Sequence, residues 1–453
     1  MYDLKGKHIT VVGAARSGVA VASLLKRQGA KPFVTDIAPV TGERRERLER
    51  EKILFEEGGH TDLALDGEFA VVSPGVPDTN PVVHSFISSG RSLYSELEVA
   101  SWFCRSPIVA VTGSNGKTTV TSWLEQMWRV DGRKPLTAGN IGTALSDCVE
   151  ETSPDRTAIL EVSSFQLDHI DRFKPNIAIL LNVTPDHLDR YENSFEKYAA
   201  SKFRISERQG PEDIVIYNLD DPVVSEWAAN ESGRADGPKF YAFSALGVVP
   251  TGLGVREGQL EFHLKQTEEP FMEVGKVGLP GRHNLSNGLA TALAARLSEI
   301  RDESIRESLR TFEGVGHRLE PVRKVRGVKY FNDSKATNVN AVWYALDSFN
   351  VPVVLILGGR DKGNDYRLLA DLIREKVHTI VSVGEAKGAI REQLSDVVPE
   401  LLEADSLESA VQMSAQIAKR GEVVLLSPAC ASFDMFDSYE HRGEVFRHAV
   451  MEL

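Results

Sequence analysis

Cysteine is scarce: the 453-residue chain has three, Cys104, Cys148 and Cys430, with no C-x-x-C spacing. That excludes a disulfide-stapled mini-protein and removes the sequence case for a zinc ribbon or a dithiol redox centre. Basic charge is in deficit as well, because 52 Lys and Arg against 65 Asp and Glu leave a net charge of −13. Such a balance is poorly suited to gripping a polyanion, so nucleic acid is not expected as a partner. No apolar run reaches the roughly 18 residues that a bilayer crossing needs, and no membrane insertion is expected. The opening MYDLKGKHITVVG enters a strand directly, without a basic segment, apolar stretch and small-residue cleavage site, so the expected location is cytoplasmic. No fixed-period repeat and no low-complexity tract interrupts the chain. What remains is ordinary globular composition, 42% hydrophobic and 26% charged, at a length that suggests roughly three domains.

Strand and helix patterns alternate throughout, and the expected fold is α/β in three domains: an N-terminal Rossmann-like domain, a central P-loop ATPase-like parallel sheet and a C-terminal Rossmann-like domain. In the first, HITVVG at 8–13 is a β-branched run ending in glycine, Val19, Ala22 and Leu25 recur at helical spacing, and FVTD at 33–36 reads as a second strand. FAVVSPGVP ends in a turn at Pro74 and Pro77, and a polar stretch near Gly90 closes this domain at 1–94. Four apolar runs, SPIVAVTG, TAILEV, NIAILLNV and DIVIYN, predict a parallel sheet buried on both faces. Alternation from about 251 to 277 predicts a hairpin, and HNLSNGLATALAARL predicts a helix with Asn at its start, giving a central domain over 95–302. KYFND, VPVVLILGG, TIVSVG and EVVLLSP repeat the α/β pattern over 303–453.

PIVAVTGSNGKTT, residues 107–119, places a glycine loop between a strand and a helix. In such a turn backbone N–H groups converge with the helix N-terminus, Lys117 adds a cation and the Thr118 hydroxyl suits Mg²⁺, so polyphosphate is the expected ligand. The loop is shorter than G-x-x-x-x-G-K-[ST], because position 111 is valine and the first glycine is Gly113. A plain turn containing Gly-Lys is the alternative. From the pattern, Thr119, Trp123, Leu124, Met127 and Trp128 serve as cap and helix packing. Gly13-Ala14-Ala15-Arg16-Ser17-Gly18 with Asp36 after the second strand resembles a dinucleotide fingerprint, although a βαβ turn needs glycine whether or not it binds a nucleotide. Glu161 and His187 fall beyond the carboxyl ends of neighbouring strands, where with Thr118 they could surround Mg²⁺. Lys202 falls on the apolar stripe of Phe195, Tyr198, Ala199 and Ile205. There it either packs its stem with the ammonium at water, which the pattern favours, or is desolvated and reactive towards CO₂.

TGSNGKTT (112–119), GNIG (139–142), EVSSFQL (161–167), NVTPDHLDRY (182–191), YAASKF (198–203), GRHNLSNGLA (281–290), GVGHRLE (314–320), NDSKATN (332–338) and SPACASFDMF (427–436) together resemble the Mur ligases of peptidoglycan synthesis. The resemblance implies a UDP-substrate domain, an ATPase domain and a C-terminal domain that brings the amino acid and closes over ATP. It implies an ATP-dependent amide ligase that passes through an acyl phosphate, with UDP-N-acetylmuramoyl-L-alanine as acceptor, D-glutamate as incoming amine, ATP and Mg²⁺ as cofactors, and a monomeric state. By motif, Gly113, Ser114, Asn115, Gly116, Lys117, Thr118, Thr119, Asn284, Asn287, Arg318 and Asp333 would bind the nucleotide. Thr118, Glu161, His187 and Lys202 would hold metal, with Lys202 matching the lysine that the family carbamylates to N6-carboxylysine, which replaces the stem-packing alternative. Ser17, Asp36, Ser73, Asn140 and Ser163 would contact the UDP-substrate. Thr337, Lys362, Ser432 and Tyr439 would meet D-glutamate, and Lys117, His187, Lys202 and Lys335 would carry the chemistry. Tyr439 departs from the phenylalanine commoner in the family, and His283 and His317 neighbour the motifs without an assigned role.

Overall fold

The computed structural model describes residues 3–140, 142–264, 267–361 and 363–453, and among these three sheets carry the chain. The first has Leu54–Glu57, Lys31–Asp36, His8–Val12, Phe69–Val72 and Leu93–Ser95 side by side in that order, every pair parallel. Four of the five residues of His8–Val12 are buried, as a β-branched run covered on both faces requires. The helix Arg16–Arg27 covers one face with Val19, Val21, Ala22, Leu24 and Leu25.

In the second sheet Leu136–Gly139, Ala158–Glu161, Ile108–Thr112, Ile177–Leu180, Ile214–Asn218, Lys239–Phe243 and Gly252–Arg256 run parallel in that order. Gln259–Leu264 and Thr267–Glu273 then continue it antiparallel, where alternation predicts a hairpin. Lys265 and Gln266 of that hairpin lie outside the described residues. All four strands predicted from apolar runs are present. Leu136–Gly139 and Lys239–Phe243 are additional, their sequences LTAG and KFYAF lacking the runs of Ile, Val and Leu that mark the others. The helix Lys117–Val130 buries Trp123, Leu124, Met127 and Trp128 completely. Each indole N–H finds an acceptor, Trp128 Nε1 donating to Thr157 Oγ1 (3.0 Å) and Trp123 Nε1 to the Ser308 carbonyl (3.2 Å).

The third sheet pairs Glu320–Val325 antiparallel with Val328–Asn332, followed by Val423–Leu426, Val353–Gly358, Val377–Val383 and Glu400–Glu403 in parallel. Two compact units result, one running to Val277 and resuming over Ser286–Thr311, the other holding Gly278–Leu285 and Phe312–Leu453. The first unit contains the first two sheets and the second contains the third. The last of these breaks falls after Thr311, with the helix Asp302–Thr311 tied into the first unit. Ser308 Oγ donates to Gln126 Oε1 and Ser304 Oγ to Asp131 Oδ1, both at 2.8 Å.

Candidate functional site

Ile108–Thr112 lies between Ala158–Glu161 and Ile177–Leu180, where the strand order of the second sheet reverses. Connections leave that point towards opposite faces and open a crevice beyond the carboxyl ends of the strands. The loop Gly113–Gly116 fills its floor, and its two glycines are needed for different reasons. A Cβ on Gly113 would stand 3.0 Å from Leu181 Cβ, whereas Gly116 has φ +87° and a Cβ there would lie 2.5 Å from Asn287 Oδ1. Asn182 braces the loop: it accepts from the Ser114 N–H on its carbonyl (2.9 Å) and from the Asn115 N–H on Oδ1 (2.8 Å), and its Nδ2 donates to the Asn115 carbonyl (3.0 Å). Ser114 Oγ donates to the Thr184 carbonyl and meets Tyr198 Oη, each at 2.9 Å. The N–H groups of Ser114 and Asn115, expected at the phosphates, are both bonded to Asn182 in this structure. Beyond them begins the positive end of helix Lys117–Val130, with Thr118 and Thr119 buried in its first turn. Lys117 Nζ donates back to the carbonyls of Gly113 (2.7 Å) and Ser114 (2.9 Å).

Lys202, in the helix Phe195–Phe203, is only 2% exposed. Its Nζ donates to the Gly113 carbonyl at 3.0 Å and lies 4.6 Å from the centre of the Tyr198 ring, so the amine is inside the fold. Burial, and after it the charge of Lys117, hold its pKa well below the ordinary lysine value, against the opposing pull of Asp186, Asp168 and Glu161. The reading from pattern alone, an ammonium reaching water, is thereby corrected: Tyr198 and the phosphate loop close over the side chain. Glu161 ends its strand 2% exposed. Its Oε1 accepts from Asn140 Nδ2 (2.9 Å), while Oε2 is buried with no hydrogen-bond partner among the described residues. A desolvated carboxylate oxygen without a donor is unfavourable unless a cation completes it. His187 adopts φ +52° at the turn after Ile177–Leu180, its ring edge-on to Phe165 at 5.2 Å and its Nε2 3.8 Å from Asp186 Oδ1. Among the described residues no three His, Cys, Asp or Glu side chains converge as a metal cage.

The first sheet presents its own crevice in the same unit. Ser73 Oγ donates to the Gly13 carbonyl (3.0 Å), and Asp36 accepts from the Ala14 N–H on Oδ2 (2.6 Å) and from the Ala38 N–H on Oδ1 (2.8 Å). Asp36, expected on a ribose, thus also braces the glycine turn. Ser17 lies in the first turn of Arg16–Arg27, partly exposed. Arg16 Nη2 donates to the Asn140 carbonyl (3.0 Å), which joins this crevice to the Glu161 strand end. Ser163 is tied down locally, its N–H and Oγ both reaching Gln166 Oε1 at 3.0 and 3.1 Å. Ile141 of the GNIG motif lies outside the described residues.

In the second unit Asp333 is fully buried beyond Val328–Asn332, accepting from Ser427 Oγ (2.7 Å) and the Leu319 N–H (3.2 Å). Burial pushes its pKa up to about 6 although Arg318 pulls the other way. Arg318 Nε is buried without a hydrogen-bond partner among the described residues. Lys335 Nζ lies 5.3 Å from the centre of the Tyr439 ring, and the Tyr439 carbonyl accepts from Ser334 Oγ (2.8 Å), so both ring and backbone of Tyr439 contact this loop. Thr337 is partly buried in the same loop and Ser432 is 2% exposed. Lys362 lies outside the described residues. Asn284 donates from Nδ2 to the Pro280 carbonyl (2.7 Å) within the first turn of Arg282–Leu297. Burial drives His283 down to about 4, and His317 pairs with Asn332 Nδ2 (2.9 Å), so both histidines have structural neighbours. Sequence reasoning missed Arg442, buried and donating to Ser334 Oγ (2.9 Å), the Ser334 carbonyl (2.8 Å) and the Cys430 carbonyl (3.1 Å). It ties the NDSKATN and SPACAS loops together. Asn182 opens the NVTPDHLDRY motif and Arg442 follows SPACASFDMF by six residues, and that placement is the signal that could have found them.

Comparisons with known proteins agree along the whole chain. A profile for the MurD N-terminal domain matches residues 8–82, one for the Mur ligase middle domain 111–295, and one for the Mur ligase glutamate ligase domain 317–430. The UDP-N-acetylmuramoylalanine–D-glutamate ligase of Salinibacter ruber is 46% identical over 456 residues, covering 100% of this chain and 99% of its own. The enzyme of the same name from Chlorobaculum parvum is 44% identical, covering 99% of this chain and 98% of its own. Among solved structures, UDP-N-acetylmuramate-alanine ligase from Thermotoga maritima superposes with a TM-score of 0.62 at 18% identity, covering 98% of this chain and 99% of that one. MurF ligase from the same organism, solved with ADP, gives 0.59 at 16% identity and coverages of 93% and 95%; at such identities the shared property is the fold.

Proposed function

The chain belongs to the Mur ligase family, and from that premise we propose that it couples D-glutamate to UDP-N-acetylmuramoyl-L-alanine by an ATP-driven amide ligation in peptidoglycan precursor synthesis. The observation that carries this reading is full-length identity above 40% to enzymes bearing that name, over a phosphate loop set at a strand-order reversal. A neighbour of the same fold holds ADP, which supports ATP as the nucleotide. The division into a UDP-substrate domain (1–94), an ATP domain (95–302) and an amino-acid domain (303–453) is part of the reading, as are a monomeric state and a cytoplasmic location. No helix among the described residues is long and apolar enough to cross a membrane.

A carboxylate is a poor electrophile, and an ammonium is no nucleophile. Lys117 and the helix N-terminus behind it receive the triphosphate, so that the alanyl carboxylate can attack the γ-phosphorus in line and ADP departs, leaving an acyl phosphate. The neutral amine of D-glutamate then attacks the carbonyl carbon, loses its proton, and expels inorganic phosphate as the amide forms. Lys335 steadies the developing oxyanion, and His187 positions the reacting carboxylate. Mg²⁺, when bound, neutralises phosphoryl charge, and the unpartnered Glu161 Oε2 fits it. Thr118, Glu161, His187 and Lys202 would hold it, Lys202 as N6-carboxylysine, an anion that its lowered pKa makes accessible. Gly113, Ser114, Asn115, Gly116 and Thr119 complete the phosphate seat, with Ser114 and Asn115 held by Asn182. Asn284 and Asn287 are assigned to the adenine, and Arg318 and Asp333 to the nucleotide. Ser17, Asp36, Ser73, Asn140 and Ser163 are assigned to the UDP-substrate, and Thr337, Lys362, Ser432 and Tyr439 to D-glutamate.

The deciding experiment supplies the acceptor, ATP, Mg²⁺ and one amino acid at a time. ADP and an amide product of the right mass should form with D-glutamate and not with L-alanine, diaminopimelate or L-glutamate. Product with a different amino acid, or ADP release without an amide, overturns the reading.

A further inference from the structure

Arg190 sits in the turn Leu188–Tyr191, three residues beyond His187, and its guanidinium is directed at the first sheet. Nη2 donates to the Val76 carbonyl (2.8 Å) and Nη1 to those of Gly75 (3.3 Å) and Pro74 (3.5 Å). Its other face covers Phe165, with Cζ 4.7 Å from the ring centre. That ring meets the edge of His187 at 5.2 Å and stacks on Tyr191 at 6.1 Å. The turn it grips is pressed against the glycine loop of the first strand, since a Cβ on Gly13 would stand 2.9 Å from both Ser73 and Val76. Three successive carbonyls gathered on one cation fix the peptide planes between them. In a planar trans peptide the N–H opposes the C=O, so the Gly75 N–H is turned away from the guanidinium and stands as an oriented donor.

We propose that Arg190 is a positioning residue for the nucleotide-sugar acceptor, locking the 74–76 turn to the His187 turn so that the anionic part of that substrate meets the preset Gly75 amide. This rests on the acceptor assignment above and adds a residue to which that assignment gave no role. A planar fork with two donor edges and a stacking face does this, and a lysine ammonium cannot.

The test uses the full-length enzyme with Arg190→Ala and Arg190→Lys. The alanine variant should raise the KM for UDP-N-acetylmuramoyl-L-alanine about tenfold while the KM for ATP stays within about twofold. Lysine should restore less than half of that loss. Amide hydrogen exchange over residues 73–80 of the free protein should quicken in both variants, with the exchange of the Lys117–Val130 helix unchanged. An unchanged acceptor KM, or equal rises for all three substrates with a lowered unfolding midpoint, overturns the proposal by making Arg190 irrelevant or merely structural. If the wild-type enzyme forms no amide, the acceptor assignment has failed; exchange over 73–80 then still decides the clamp, and unchanged rates overturn it.

Discussion

Replacing Lys202 by methionine keeps a side chain of similar reach and removes an amine that is buried 3.0 Å from the Gly113 carbonyl. An ordinary lysine, with a pKa of about 10.4, is neutral in roughly one copy per thousand at pH 7.4. Burial and the neighbouring Lys117 hold Lys202 well below that pKa, and each unit of lowering raises the neutral fraction about tenfold until it dominates. Only the neutral amine adds to CO₂, releasing a proton as the carbamate forms. Wild-type enzyme in ¹³C-bicarbonate at pH 7.4 should therefore show a carbamate carbon signal that Lys202→Met lacks. Turnover of the variant should fall about a hundredfold or more, with partial rescue by short-chain carboxylic acids. Stability supplies an independent sign. With its pKa lowered in the folded state, Lys202 must release a proton on folding at any pH between its folded and unfolded values. In CO₂-free buffer the wild type should then lose about 1.4 kcal/mol per pH unit relative to the methionine variant as pH falls through that window. Equal carbamate signals in both proteins, full turnover in the variant, or parallel stability curves would refute the reasoning.

Gly116→Ala places a Cβ 2.5 Å from Asn287 Oδ1 at φ +87°, so the KM for ATP should rise and the unfolding midpoint should drop by the equivalent of about 1–2 kcal/mol, read by kinetics and calorimetry. Glu161→Gln keeps the Asn140 contact within reach but removes the buried charge at Oε2, so the Mg²⁺ concentration for half-maximal activity should rise about tenfold with the fold intact; an unchanged Mg²⁺ titration would argue against that residue as a ligand. Asp333 has its pKa raised from 3.8 to about 6, so it contributes stability below pH 4 that is lost as pH rises through 6, a change of about 3 kcal/mol. Asp333→Asn should flatten that segment of the stability–pH curve, which denaturant titrations between pH 4 and 7 will read.

The sheets were legible because parallel strands buried on both faces write themselves as apolar runs: IVAV, AILE, IAIL and VVLILG all emerge as buried strands. Strands without that signature, such as LTAG, were not. The phosphate loop was legible for its glycines, yet the residue that braces it was not, because Asn182 lies 67 positions from Asn115 and only the folded chain joins them. The same limit applies to Lys202. A helical stripe gives the face on which a residue falls, but not how deep that face is covered, and the depth is set by Tyr198 and by a carbonyl 89 positions away.

The Asn182 brace has a consequence for how nucleotide arrives. Because one residue already satisfies the loop, with its carbonyl at Ser114 and its side chain at Asn115, the phosphates meet a finished seat and little backbone freedom is surrendered at encounter. Capture should therefore be fast and only weakly dependent on temperature, and an enzyme that loses the side-chain half of the brace by Asn182→Ala, freeing Asn115, should bind ATP more slowly, with a larger unfavourable entropy, even where its final contacts are unchanged.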